Sequence, residues 1–365
     1  MDNARPPDFD RSRWKDARWS HWSFRNTAGF LPTACIAPAE KPRPLERGEP
    51  RQPDGWEAFL VATYATSAIL IADGRVMAEA PTGAMADSRP HMLFSITKSV
   101  VGLTARVLID TGMIDAERPV AHYLPDLTET AFGDATLTEL LAMRDGVAFD
   151  ETYADPDAAI HHYSRSYWGD ALGGARARLA ALPRRPRGNA FAYRTPVADV
   201  VGAMLSAAAG QDLSDLVGEM LWRPMGAAHP AHFVLDTAGV AIAGAGLNAA
   251  TDDLARLALL LLEGGKRDGR QVLPERVVTQ LFDGGDRQAF ARGYPDRPGW
   301  SYRDLWWHMG GRRIAALGVH GQRLVIDADH GFALIRTGAQ PEPDNRPFDA
   351  AHAAQLYRIE EVRVV

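Results

Sequence analysis

The stretch HMLFSITKSVVG, residues 91–102, places Ser95 three residues before Lys98 at the head of an apolar run. Residues three apart share one face of a helix, so this spacing predicts the Ser95 hydroxyl within hydrogen-bond reach of the Lys98 ammonium. Gly102 lies on the same face. Ile96, Val100, Val101, Leu103 and Val107 cover the others, so the helix is expected to be buried almost all round. A lysine in such surroundings loses the hydration of its charge, its pKa falls, and a neutral amine becomes available as a proton acceptor. Ser95 at the helix start leaves its backbone N–H without a helical acceptor, free to point at a developing oxyanion. The competing reading is a lysine whose stem packs while its head reaches water. Lys98 is one of four lysines in the chain, with Lys15, Lys41 and Lys266, so its presence in an apolar helix is conspicuous.

The bulk properties bound what surrounds this helix. A chain of 365 residues exceeds the usual single-domain size, which sets about two domains as the starting expectation. Hydrophobic residues make up 46% and charged residues 24%, an ordinary globular balance, and the net charge of -6 argues against nucleic acid as principal partner. The single cysteine, Cys35, excludes an intramolecular disulfide and a cysteine-based metal cluster. Acidic residues early in MDNARPPDFDRSRW and the lack of an apolar core there give no sign of a secretory signal, so a cytoplasmic protein is expected. The most apolar run, LARLALLLLEGG from Leu254, is too short to span a bilayer and reads as a core helix, with no membrane partner expected.

Outward from the nucleophile helix, residues 1–54 are rich in Pro, Arg and Trp and read as an extended arm, pinned to the body by Trp14, Trp19 and Trp22. TSAILIA and RVMAEA flank the turn pair Asp73-Gly74 and predict a hairpin. From Ser95 to about residue 283 helical periodicity dominates, with Thr195 read as N-cap before Pro196 and with Gly264 closing another helix. Beyond about residue 298 short strands return (DLWWHM, RRIAALGVHG, QRLVIDA, GFALIRTG), followed by a last helical stretch. Strands at both ends of a helical middle predict an α/β domain built from residues 55–110 and 285–365, with an all-helical insertion over 111–284.

Two further stretches carry chemistry. NAFAYRTP puts Tyr193 and Thr195, a phenol and a hydroxyl, just before a helix; a nearby lysine ammonium would favour the phenolate, though taken alone Tyr193 reads first as a core tyrosine. LGVHGQ lies in an expected strand, where Gly318 and Gly321 would let a ligand run close to the backbone and the Val319 N–H would be a second oxyanion donor. His161-His162 completes no metal site and reads as a solvent-facing loop pair.

Taken in order, FSITKS, FAYRTP and GVHGQRLVID resemble the nucleophile, Tyr-x-Ser/Asn and Lys-Thr-Gly motifs of the serine β-lactamase-like (SxxK) hydrolases, most closely the branch of 6-aminohexanoate-dimer hydrolases and class C-type esterases. VAHYLPDL, TLTELLAMRDG and MLWRPMGA add to the resemblance, which covers nearly the whole chain. It implies a β-lactamase/transpeptidase-like fold, an antiparallel sheet flanked by helices with a helical insertion domain. It also implies acyl transfer with no metal or cofactor. Ser95 would be the nucleophile, Lys98 and Tyr193 its acid/base partners, and the N–H groups of Ser95 and Val319 the oxyanion hole. Tyr153, Thr195, Trp307, Gly318 and His320 would contact substrate; His320 has an equally good structural reading, and of Trp306 and Trp307 only one can face the pocket.

The sequence also departs from that branch. Ser164 stands where the amide-dimer hydrolases place a carboxylate near the substrate's amino end, Gly244 where they can carry Asn, and Ala316-Leu317-Gly318 replaces Lys-Thr-Gly. These departures weaken the expectation of an amino-terminated amide or a β-lactam and favour a small neutral ester or amide. The alternatives are a linear-amide hydrolase of the 6-aminohexanoate type and, from another class, a catalytically silent ligand-binding member of the fold. A homodimer is an expectation that rests on the resemblance alone.

Overall fold

The computed structural model describes residues 4–80, 88–169, 173–185 and 188–363. Its centre is an antiparallel seven-stranded sheet in the order Arg75–Ala80, Ala65–Ala72, Phe332–Gly338, Gln322–Asp327, Arg313–Gly318, Trp306–His308 and Ser301–Arg303. The hairpin over Asp73-Gly74 forms as the turn chemistry predicts, with Ala72 opposite Arg75. Gln322–Asp327 and Phe332–Gly338 are buried along their whole length because both sheet faces are covered. The helix Ile96–Asp110, which carries Lys98, and the helix Thr251–Leu262 pack on one face, and the C-terminal helix Asp349–Arg363 and the helix Trp56–Ala62 pack together on the other.

A second antiparallel sheet, which the sequence reading did not anticipate, orders Thr33–Ile36, Ala231–Val234, Leu247–Ala249 and His91–Met92. Its strands have two to four residues each and come from distant parts of the chain, so no local alternation announces them. The N-terminal arm is correspondingly more structured than its Pro- and Arg-rich composition suggests. It supplies one of these strands and a helix, Ala17–Ser23. Trp14 and Trp19 are buried as expected, and Trp22 packs against the core from a partly exposed position.

Two helix ends differ from the sequence reading. Thr195 is the first residue of the helix Thr195–Ala209, with Arg194 as N-cap, so its hydroxyl is free for a different partner. His161 and His162 lie on the helix Ala159–Trp168 rather than in a loop, and His161 is half-buried. No helix among the described residues is long and apolar enough to cross a membrane.

Candidate active site

The chain reaches Ser95 through a constrained turn. His91–Met92 pairs with Leu247–Ala249, the Leu93 N–H donates to the Leu247 carbonyl at 3.0 Å, and Phe94 then takes φ +47°. A non-glycine residue in that region costs on the order of 1 kcal/mol, and packing holds it there. The Phe94 ring is buried against Trp14, Phe24 and His320. Ser95 follows as N-cap of the helix Ile96–Asp110, which leaves its N–H without a helical acceptor.

The end of the strand Arg313–Gly318 approaches the same turn. A Cβ on Gly318 would stand 2.3 Å from the Leu93 carbonyl oxygen, so the approach requires glycine. This corrects the reason given from sequence: Gly318 lines the pocket, but what presses on its backbone is Leu93. The strand stops at Gly318, and Val319 opens a short 3₁₀ turn rather than continuing it. That turn puts Val319 in the lining of the site together with Ser95. His320, at φ +59°, packs its ring against that of Phe94, 5.3 Å between centres.

Lys98 behaves as its position predicts. Its Nζ donates to Ser95 Oγ at 2.8 Å and to the Gly244 carbonyl at 2.7 Å, and lies 5.1 Å from the centre of the Tyr193 ring. Burial pulls its pKa down to about 8, opposed by the negative charges of Glu151 and Asp199. Once neutral, the amine can keep its hydrogen bond to Gly244 while accepting one from the serine hydroxyl. Gly244 is fixed in turn: its N–H donates to Asp199 Oδ1 at 2.9 Å, and the hydroxyls of Tyr163 and Tyr167 donate to Asp199 Oδ2. Burial pushes Asp199 up to about 6 despite these donors. Gly244, where the resembled branch can carry Asn, is therefore packed into the support of Lys98; a Cβ there would meet Tyr167 Oη at 2.5 Å.

Tyr193 stacks on Trp307, with ring centres 5.3 Å apart and planes at 22°, and lines the site together with Ser95. Burial first, then the nearby Glu151 carboxylate, raise its pKa well above the ordinary value. The phenolate expected from a neighbouring lysine is thus disfavoured, and Tyr193 rests as a proton donor. Trp307 faces the site while Trp306 is buried, its indole N–H donating to the Ser99 carbonyl at 2.8 Å.

Thr195 donates from N and Oγ1 to Glu151 at 2.6 and 2.5 Å, and Tyr153 donates to the same carboxylate at 3.3 Å. Burial raises Glu151, while Lys98 and then the Thr195 and Tyr153 donors lower it. Tyr153 and Val319 border both lobes of the site, which meet at Ser95: a cavity of about 520 Å³ on the arm side and one of about 140 Å³ toward Trp307 and Gly318. Thr195 and Ser164 line the larger lobe, and so does His320, whose Nδ1 bonds the Gln340 carbonyl and whose pKa burial lowers to about 4. His320 therefore combines both readings, a hydrogen-bonded structural group and a neutral pocket wall.

The structure brings every sequence-derived site residue to this one place. Sequence reasoning missed Glu151 and Asp199 and misplaced His161, which lines the larger lobe with Nε2 bonded to the Tyr153 carbonyl at 3.2 Å. Asp199 was accessible, since it lies four residues beyond Thr195 on one helix face. Glu151 sits in an irregular loop and gives no such signal. Among the described residues no group of three or more His, Cys, Asp or Glu side chains is placed to hold a metal ion.

A buried serine and lysine on one helix, facing a tyrosine across a cleft between a sheet and a helical region, define a serine hydrolase of the β-lactamase/transpeptidase-like fold. Residues 59–358 match the Beta-lactamase family model, and the chain belongs to that family. It is 28% identical to the 6-aminohexanoate-dimer hydrolase of Paenarthrobacter ureafaciens over 364 residues, covering 95% of this chain and 92% of that one. Among solved structures, a Bacillus anthracis protein assigned as a 6-aminohexanoate-dimer hydrolase aligns with a TM-score of 0.86 at 21% identity, over 98% of this chain and 97% of its own. A family VIII carboxylesterase aligns with a TM-score of 0.62 at 14% identity, over 86% of this chain and 99% of its own. At these identities the two structural likenesses carry the fold alone.

Proposed function

We propose that this protein hydrolyses a small ester or amide through an acyl-enzyme on Ser95. The observation that carries the reading is the buried contact of Lys98 Nζ with Ser95 Oγ at 2.8 Å, by a lysine whose pKa lies at about 8. Neutral Lys98 takes the hydroxyl proton as Ser95 Oγ bonds to the substrate carbonyl carbon. The carbonyl oxygen gains the negative charge and is held by the N–H groups of Ser95 and Val319. Collapse of this intermediate breaks the bond to the leaving oxygen or nitrogen, which takes the Tyr193 hydroxyl proton; the Lys98 ammonium then restores the phenol. Water attacks the acyl-enzyme by the same proton route in reverse order.

A linear amide is the second reading, supported by the name and near full-length match of the Paenarthrobacter relative. Against a catalytically silent protein stands the complete set of Ser95, Lys98 and Tyr193 gathered at one site, with Lys98 bonded to Ser95 and lying over the Tyr193 ring. The test is hydrolysis of short-chain p-nitrophenyl esters and of matched anilides by wild type and Ser95→Ala. Ester turnover lost in the variant supports the reading, and the anilide rate decides between ester and amide. Equal rates in both proteins would remove Ser95 from the mechanism.

A further inference from the structure

The larger lobe of the site has a charge imbalance on its arm side. Its walls include Arg13, Lys15, Arg18, Asp16 and Glu342. Arg13 pairs with Asp16 at 2.7 Å, and Arg18 pairs with Asp8. Lys15 is half-buried, yet no hydrogen bond or ion pair holds its ammonium among the described residues. The nearest carboxylate in sequence, Asp16, is already engaged by Arg13, and Glu342 is exposed at the rim without making an ion pair to Lys15. His320, whose titration Lys15 opposes, is neutral and adds no charge to this wall.

Lys15 is also held in place. The preceding residue, Trp14, is buried, stacks on Phe94 at 6.1 Å with planes at 8°, packs edge-on to Trp168 at 5.5 Å, and has its carbonyl bonded by Ser23 Oγ at 2.5 Å. Phe94 adjoins Ser95. The backbone that carries Lys15 is therefore anchored to the nucleophile turn itself. A long cationic side chain in that position, with no hydrogen-bond or ion-pair partner among the described residues, matches a carboxylate on the ligand.

We infer that Lys15 selects substrates carrying a free carboxylate, and that the arm-side lobe binds the carboxylate-bearing portion of an anionic ester or amide. The inference rests on the proposed function for its location at Ser95, and it names the substrate class that reading leaves open. Burial lowers the Lys15 pKa, and the charge of Asp16, which is paired with Arg13, opposes that shift only in part.

The experiment separates the two. Ser95→Ala protein is titrated by calorimetry with three methyl esters of matched length: monomethyl glutarate, methyl pentanoate and methyl 4-aminobutanoate. Monomethyl glutarate is expected to bind at least tenfold tighter than the neutral ester at low salt. Lys15→Met is expected to bring that ratio close to one, and Lys15→Glu to reverse it toward the amine. A ratio of one in the parent protein, a preference for the amine, or a carboxylate preference that survives Lys15→Met would overturn the inference. Binding is read without turnover, so the result stands whether or not Ser95 proves to be the nucleophile. Loss of ester hydrolysis in Ser95→Ala is scored separately.

Discussion

Neutralising Glu151 isolates the electrostatics of Lys98, the general base of the proposed mechanism. Lys98 must be uncharged to accept the Ser95 proton, so kcat/KM should rise with pH through the free-enzyme pKa of about 8 and level off above it. Below that midpoint the neutral fraction falls tenfold per unit, to about 1% at pH 6. Glu151 is the largest charge opposing the effect of burial on Lys98. Glu151→Gln keeps the side-chain shape and one acceptor for Thr195 but removes that charge, leaving Asp199 as the remaining carboxylate. A nearby opposite charge is worth ~1 pKa unit or more, so the midpoint should move down by ~1 unit. Relative to its own plateau, the variant should then be about tenfold more active at pH 6 than wild type. The plateau itself should drop, because the Thr195 and Tyr153 hydrogen bonds are rearranged. The assay is kcat/KM for a p-nitrophenyl ester between pH 5.5 and 9.5, with each profile normalised to its plateau. A midpoint that stays in place or moves upward in the variant would refute the assignment of Lys98 as the titrating base.

Three further outcomes are expected. Tyr193→Phe keeps the stacking on Trp307 but loses the hydroxyl at Ser95, so the rate should fall by ~10²- to 10⁴-fold with the melting temperature little changed. Gly102→Ala would set a Cβ 1.9 Å from the Asp304 carbonyl oxygen, where Asp304 and Leu305 both have positive φ, so unfolding by urea should show a loss of ~3 kcal/mol. Arg194→Met strands Asp145, its buried partner at 2.7 Å, and should cost ~3–5 kcal/mol by the same measurement; a loss under ~1 kcal/mol would contradict the pairing.

The parts of the molecule that were legible in the sequence are those whose geometry is local. Ser95 and Lys98 meet because of helical periodicity, the hairpin at Asp73-Gly74 follows from turn chemistry, and Trp306 and Trp307 divide between core and pocket because strand neighbours alternate. The hidden parts depend on contacts between distant segments. The short strands of the second sheet gain their meaning only when paired, as with Thr33–Ile36 against Ala231–Val234. Glu151 acquires its role from Thr195, 44 residues away in the chain. Thr195 was read as a cap because Pro follows it, but its hydroxyl is claimed by that carboxylate and the cap shifts to Arg194. The resting state of Tyr193 was misjudged for the same reason: the neighbouring lysine was visible in the sequence, whereas the burial and the Glu151 carboxylate that raise its pKa were not.

The central claim is a covalent intermediate on Ser95, and the most direct measurement is the intact mass of the enzyme quenched during turnover of a slow p-nitrophenyl ester, followed by peptide mapping. The account predicts a mass increase equal to the acyl group, located on the peptide containing Ser95 and missing in Ser95→Ala. Steady turnover by wild type with no adduct at Ser95, or an adduct on another residue that the variant retains, would contradict it.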